Sequence, residues 1–301
     1  MSRRALDEKQ QATVDAAQVA VQSRGYWATV LVRLGEDKVT LVCGAVLLVI
    51  VLSVVFADWI ALADPYKADM MKRLKPIGTP GYPLGGDEMG RDMLTRLLYG
   101  GRLSLFMGVT PVVTALGIGG LLGLVAGFLG GRVNMLIMRA MDVFYAFPSV
   151  LLAVAISGAL GAGVGNAILS LTLVFIPPLT RVTESVTTQI KNLDYVEAAR
   201  ASGAGNLTII RVHVLSNVLG PVFIYATSLI SVSIILASGL SFLGLGTEPP
   251  EPEWGLMLNT LRQSIYVNPW VSALPGLMIF MTSLTFNLLS DGIRSAMDVR
   301  L

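Results

Sequence analysis

Across 301 residues the chain has one cysteine, one histidine and few charges, with only 14% of its residues being Asp, Glu, Lys or Arg. Cys43 alone allows neither an intrachain disulfide nor a cysteine metal cluster, and it lies in an apolar stretch where a small buried side chain is the ordinary role. His213 has no second histidine with which to hold a metal, and Ser241 and Ser290 have no base near them in sequence, so catalytic groups are scarce. No Gly-Lys dipeptide occurs, so the chain lacks a phosphate-cradling G-x-x-x-x-G-K-Ser/Thr loop. A net charge of +2, with no basic stripe interleaved with aromatics, excludes nucleic acid as a partner.

What the chain has in abundance is apolar surface. A hydrophobic content of 53% and a mean hydropathy of +0.68 are too high for a soluble domain, so the fold class is all-α and integral to a membrane, surrounded by lipid. Runs free of Asp, Glu, Lys and Arg mark the spans, since about 20 apolar residues cross the hydrocarbon as a helix. These runs are Val39 to Ala57, Leu103 to Gly131, Val143 to Thr180, Val214 to Thr247 and Gln263 to Ser290. The third is too long for one helix and is split by the turn formers from Gly161 to Asn166, which predicts six transmembrane helices.

An even number of spans puts both termini on one side. With the termini inside, Lys67, Lys72, Arg73, Lys75, Arg91, Arg96, Arg102 and Arg262 are the outer basic residues, 8 against 14 inner ones that include Arg132, Arg139, Arg181 and Lys191. That asymmetry favours cytoplasmic termini, modestly, because the outer loop 58–102 is itself basic. Ala61-Leu62-Ala63 looks like a signal-peptide cleavage box, but a 19-residue apolar run behind a polar leader predicts an uncleaved anchor. Residues 1–38 read as a polar cytoplasmic tail, partly helical from Gln10 to Gln22, and 39–301 as the six-helix domain.

Within the second span Gly119, Gly123, Gly127 and Gly131 recur every four residues and predict a smooth ridge for close helix packing, within this subunit or against a partner. Pro111, Pro148 and Pro177-Pro178 sit in or near spans, where each removes a backbone donor and can kink a helix. Arg139 and Asp142, three apart near the start of the third span, predict an ion pair at the cytoplasmic edge.

The polar segment from Tyr195 to Asn217 interrupts the apolar spans. Asp194 and Glu197 have the spacing of an N-cap and its reciprocal N3 carboxylate, Ala198, Ala199 and Ala201 favour a helix, and Gly203 can end it in a left-handed conformation. A short helix of small side chains lets another protein approach its backbone closely.

The pattern Glu197-Ala198-Ala199 with Gly203 six residues after the Glu resembles the cytoplasmic coupling loop of ABC importer membrane subunits, which spans about 191–213 here. Four further stretches join it. They are Gly86 to Leu105, Met138-Arg139 with Asp142 and Ala146-Phe147-Pro148, Leu240 to Gly246 followed by Glu253-Trp254-Gly255, and Phe286-Asn287 with Asp291-Gly292 and Arg294. Together, over about Gly81 to Leu301, they resemble the C-type permease of the dipeptide, oligopeptide and nickel family of ABC importers. The chain departs from the family pattern at Ser216 and Val299, where Pro is usual, at Gly86 in place of Thr, and at Ser290 and Ser295 in place of Gly and Asp.

The resemblance implies a type I importer permease fold in a bacterial inner membrane, forming half of a translocation pathway with a related B-type permease. It implies an extracytoplasmic binding protein that delivers peptides or similar solutes, and two ATPase subunits that carry the ATP and magnesium this chain does not bind. Asp194, Glu197, Ala198, Ala199 and Gly203 are then the ATPase-coupling residues. Two rival classes stand beside this reading, an ion-coupled secondary transporter, with Asp142 as its candidate carboxylate, and an intramembrane enzyme.

Overall fold

The computed structural model describes residues 26–297, so the helical stretch expected from Gln10 to Gln22 and the Val299 departure lie outside it. Among the described residues the regular structure is helical. The helices are α1 (Tyr26–Glu36), α2 (Lys38–Val55), α3 (Ala57–Ile60), α4 (Met93–Leu129), α5 (Gly131–Tyr145), α6 (Ser149–Leu160), α7 (Val164–Lys191), α8 (Asp194–Ala201), α9 (Leu215–Phe242), α10 (Trp254–Leu261) and α11 (Pro269–Met297). A single turn, Asn206–Thr208, and a π-helical turn, Ile209–Val214, lead into α9.

Five helical stretches are long and apolar enough to span a membrane, and α5 with α6 form a sixth, bent by 85° at Ala146–Pro148. Helix packing shows that this bent pair crosses. Gly119 of α4 lies against the Ile176 carbonyl of α7, Gly127 against the Glu184 carbonyl, and Lys191 Nζ donates to the Gly127 carbonyl at 2.7 Å, so α4 and α7 run parallel. A chain leaving one helix at its end and entering a parallel neighbour at its beginning must cross back, and residues 131–163 do so.

Helix α11 runs antiparallel to both α9 and α2. Ser290 Oγ of α11 donates to the Ile224 carbonyl of α9 at 3.2 Å while Gly220 lies near Met297. Thr40 and Gly44 of α2 meet Gly292 and Leu289 of α11. Six crossings therefore put the first and last described helices at the same face. Trp59, Tyr266 and Trp270 are exposed at the opposite face, where amphipathic rings mark a membrane interface.

Several expected boundaries move. The third span begins at Gly131 rather than near Val143, because α5 carries Arg132, Arg139 and Asp142 and a charge-free window misses it. The fourth runs past Thr180 to Lys191, which places Arg181 and Glu184 inside a helix instead of an inner loop. The tail expected over 1–38 ends in a helix, α1, which packs on α11 and buries Val30. Asp37 then caps α2, accepting from the Val39 amide at 3.0 Å.

Two apolar clusters hold the bundle. One joins α4, α7 and α9 around Met107, Leu171, Leu179 and Val222, and the other joins α2, α4, α10 and α11 around Val54, Leu97, Trp254 and Leu261. The glycine ridge is the seam of the first. A Cβ at Gly119 would stand 2.8 Å from the Ile176 carbonyl, one at Gly123 would collide with the Thr180 carbonyl, and one at Gly127 would stand 2.7 Å from the Glu184 carbonyl. Gly131 does not belong to the ridge. It opens α5 with φ +51 and open space around it, because the four-residue repeat ends where α4 ends.

Candidate functional site

Helix α8 sits at the face where α7 ends and the turn leading to α9 begins. Its start differs from the expected capping box. Leu193 is the N-cap, Asp194 is the first helical residue, and no side chain caps the helix. The Leu193 carbonyl already accepts from the Val196 and Glu197 amides, so the helix begins one residue earlier than Asp194 could cap. Asp194 and Glu197 instead place two carboxylates in the first turn, where they complement the helix dipole, and Arg200 does so in the last.

The other end is as the residue pattern predicts. The Gly203 amide donates to the Arg200 carbonyl at 3.0 Å and the Ala204 amide to the Ala199 carbonyl at 3.1 Å, the paired bonds of a Schellman motif, with Gly203 at φ +86. Val196 anchors the helix, fully buried in one apolar cluster with Ile190, Ile209 and Val214. Tyr195 Oη accepts from Asn217 Nδ2 at 3.2 Å and its ring tilts against His213. Opposite this anchor, Asp194, Glu197, Ala198 and Gly203 are exposed and Ala199 is half-buried. Leu193, Leu207 and Val212 expose apolar surface on the same segment. The arrangement is a rigidly held helix whose outer face is small and flanked by apolar side chains.

Ser216, where the family pattern has Pro, donates from its hydroxyl to the Val212 carbonyl at 3.0 Å, beside the π-helical turn Ile209–Val214. Sequence periodicity gives no sign of that turn.

At the opposite face the motif from Gly86 to Leu105, which leads into α4, builds a buried ionic cluster. Asp87 accepts from the Arg91 amide at 2.8 Å and from Arg91 Nε at 2.6 Å, and lies 3.2 Å from Arg96 Nε. Arg91 also pairs with Glu88 at 2.7 Å. Asp92 caps α4, accepting from the Thr95 amide at 2.9 Å. Glu253, likewise buried, caps α10 through the Gly255 amide at 2.9 Å and the Leu256 amide at 2.8 Å, and accepts from Ser104 Oγ of α4 at 2.9 Å. Burial pushes its carboxyl above the ordinary carboxylate range, against the pull of those donors.

Inside the bundle Asp142 is paired twice. Arg139 lies 3.6 Å away, as the three-residue spacing predicts, but the shorter contact is with Arg181 of α7, whose guanidinium carbon also stands 4.4 Å over the Tyr145 ring. Sequence reasoning missed Arg181 because its partner is 39 residues away, and placed the pair at an edge that α7 extends well past.

Two family profiles match the chain. That of the N-terminal transmembrane domain of oligopeptide transport permease C covers residues 25–76, and that of the binding-protein-dependent transport system inner membrane component covers 119–301. The chain is 44% identical to a di/tripeptide transport system permease of Pseudomonas aeruginosa, over 85% of this chain and 86% of that one. It is 40% identical to a glutathione transport system permease of Pectobacterium atrosepticum, over 84% and 85%. A solved structure of the MetNI methionine ABC transporter in inward-facing conformations shares the fold, with a TM-score of 0.57 at 18% identity over 68% of this chain and 97% of that one. With six crossings, the glycine-seamed bundle and a family profile over more than half its length, the chain belongs to the inner membrane component family of binding-protein-dependent transport systems, as a permease subunit of an ABC importer.

Proposed function

We propose that this permease pairs with a related subunit to enclose a pathway for peptides or similar small solutes, and that α8 docks on a partner ATPase. The relatives named for di/tripeptide and glutathione transport support that substrate class. The two ATPases bind ATP and magnesium in trans, an extracytoplasmic binding protein delivers the solute, and both termini of this chain face the cytoplasm of a bacterial inner membrane.

The observation that carries the coupling role is the build of α8. Val196 fixes it to the bundle, the Schellman turn at Gly203 redirects the chain, and Ala198 leaves its outer face low enough for a partner to close on. A push on α8 reaches Ile190 at the end of α7, and α7 packs on α4 with glycine against backbone, so displacement moves helices as rigid bodies. States that nucleotide and solute stabilise unequally then alternate access to the pathway.

Ala198→Trp adds bulk to an exposed position and is expected to leave insertion unchanged while abolishing ATP-driven uptake and the stimulation of ATP hydrolysis by loaded binding protein. Reconstituted vesicles measure both. Full uptake with full stimulation would show that α8 is not the coupling element.

A further inference from the structure

Charge inside the bundle is concentrated where α5 faces α7. Arg181 is ten residues before Lys191, which puts it about 15 Å along the helix from that inner end. It therefore lies within the hydrocarbon, which is about 30 Å thick. Asp142, the residue it pairs with, is at the same level.

These groups are not sealed by the bundle. The side chains of Arg181 and Asp142 keep 43% and 41% of their surface exposed, and that of Arg139 keeps 80%. Charges at this depth do not face lipid tails; they face water or a polar partner. A cavity of about 270 Å³ opens beside them at the break between α5 and α6, lined by Phe144, Tyr145, Phe147 and Ser149 and, across it, Phe175 and Pro178. Tyr145 both lines the cavity and lies under the Arg181 guanidinium.

The local charge is unbalanced. Two guanidiniums share the single carboxylate of Asp142, while the nearest further acid on α7, Glu184, accepts instead from Asn134 at 2.6 Å and Thr188 at 3.1 Å. A guanidinium has five N–H donors, and among the described residues Arg181 has no partner besides Asp142 and the Tyr145 ring. A planar fork with unused donors, seated over the ring of Tyr145, which itself lines the cavity, suits a carboxylate.

We propose that Arg181 and Arg139 form a station in the pathway that binds the carboxylate of the solute in transit, with Tyr145 positioning the Arg181 guanidinium and Asp142 holding it when the station is empty. The proposal rests on the reading of this chain as half of a solute pathway. Solute carboxylate and Asp142 then share the charge of one guanidinium, so occupancy loosens the bond between α5 and α7 next to the bend at Ala146–Pro148.

The test uses the full complex, with its partner permease, ATPases and binding protein, in vesicles. ATP-driven uptake of labelled dialanine and of glutathione by the wild type is measured first and tests the underlying reading. Arg181→Gln is then expected to lower uptake per ATP hydrolysed by about tenfold, with Arg181→Lys intermediate. The double variant Arg181→Gln with Asp142→Asn is expected to stay as low as the single one. Uptake of the single variant within about twofold of wild type, or recovery in the double variant, would show that Arg181 only neutralises Asp142. A second measurement is independent of transport. Arg139→Cys in a Cys43→Ser chain is expected to react with a charged, membrane-impermeant thiosulfonate in inside-out vesicles, and complete resistance would place the cluster out of reach of water and overturn the station.

Discussion

Gly203 and Gly86 are glycines for different physical reasons. At Gly203 the reason is φ +86 with open space around it, so any side chain there meets backbone strain of about 1–2 kcal/mol rather than a neighbour. At Gly86 the reason is space, because a Cβ would collide with the Lys72 carbonyl. Ser290, a departure from the family pattern, shares a hydrogen bond of 2.9 Å with Thr227, a polar tie between α11 and α9. Glu253 carries a pH dependence. Its carboxyl is raised by burial, so folding favours its protonated form; the stability this gives is complete below the ordinary carboxylate range and is lost as pH rises through the raised value. The wild-type complex is therefore expected to melt at higher temperature as pH is lowered from neutral. Glu253→Gln is expected to remove that slope and to lower stability by about 1–3 kcal/mol, because its NH₂ group faces an amide that needs an acceptor. Tryptophan fluorescence during thermal unfolding measures both, and parallel slopes for the two proteins would remove Glu253 as the titrating group.

At the scale of elements, the α4–α7 contact is the most exacting. Gly123 has the Thr180 carbonyl and the Thr183 Cβ on its face, the latter 2.6 Å from where a Cβ would stand. Gly120, three residues earlier on the same helix, has nothing within 4 Å. Gly123→Leu is expected to cost about 1–3 kcal/mol or more and to impair assembly, whereas Gly120→Leu is expected to assemble normally. Complex recovery after detergent extraction compares them, and equal recovery would mean that the seam tolerates a wider crossing. The ridge was legible as a four-residue repeat, but its end was not. Gly131 continues the spacing and yet begins a new helix, since a repeat along the chain carries no information about where the helix carrying it stops. The same limit applies to α8, where spacing predicted a capping box and the Leu193 carbonyl started the helix one residue earlier.

At the scale of the whole molecule, parallel packing of α4 and α7 sets six crossings and puts α8 at the end opposite the buried outer cluster of Asp87, Arg91 and Glu253. With cytoplasmic termini, a cysteine introduced at Ser202 in a Cys43→Ser chain is expected to be shielded from an impermeant thiol reagent added to intact cells. Cysteines at Met71 or Tyr266, both highly exposed, are expected to react. Labelling at Ser202 with protection at Met71 would invert the orientation. The basic asymmetry that motivates this orientation keeps its direction when the residues that are not free loop charges, two on each side, are left out. Arg139 and Arg181 lie inside helices, and Arg91 and Arg96 are buried against Asp87, so none of them is a free loop charge.

By itself the sequence determined that this chain is a helical membrane protein, where most of its spans lie, and that 194–203 forms a short helix ended by a glycine. Hydropathy and local backbone preference decide those matters within windows of about 20 residues or fewer. Only the tertiary structure decided that 131–160 is one bent span, that Gly119, Gly123 and Gly127 meet the backbone of α7, and that Asp142 reaches Arg181. Each of these depends on which helices lie side by side, a choice made by packing and charge between residues far apart in the chain.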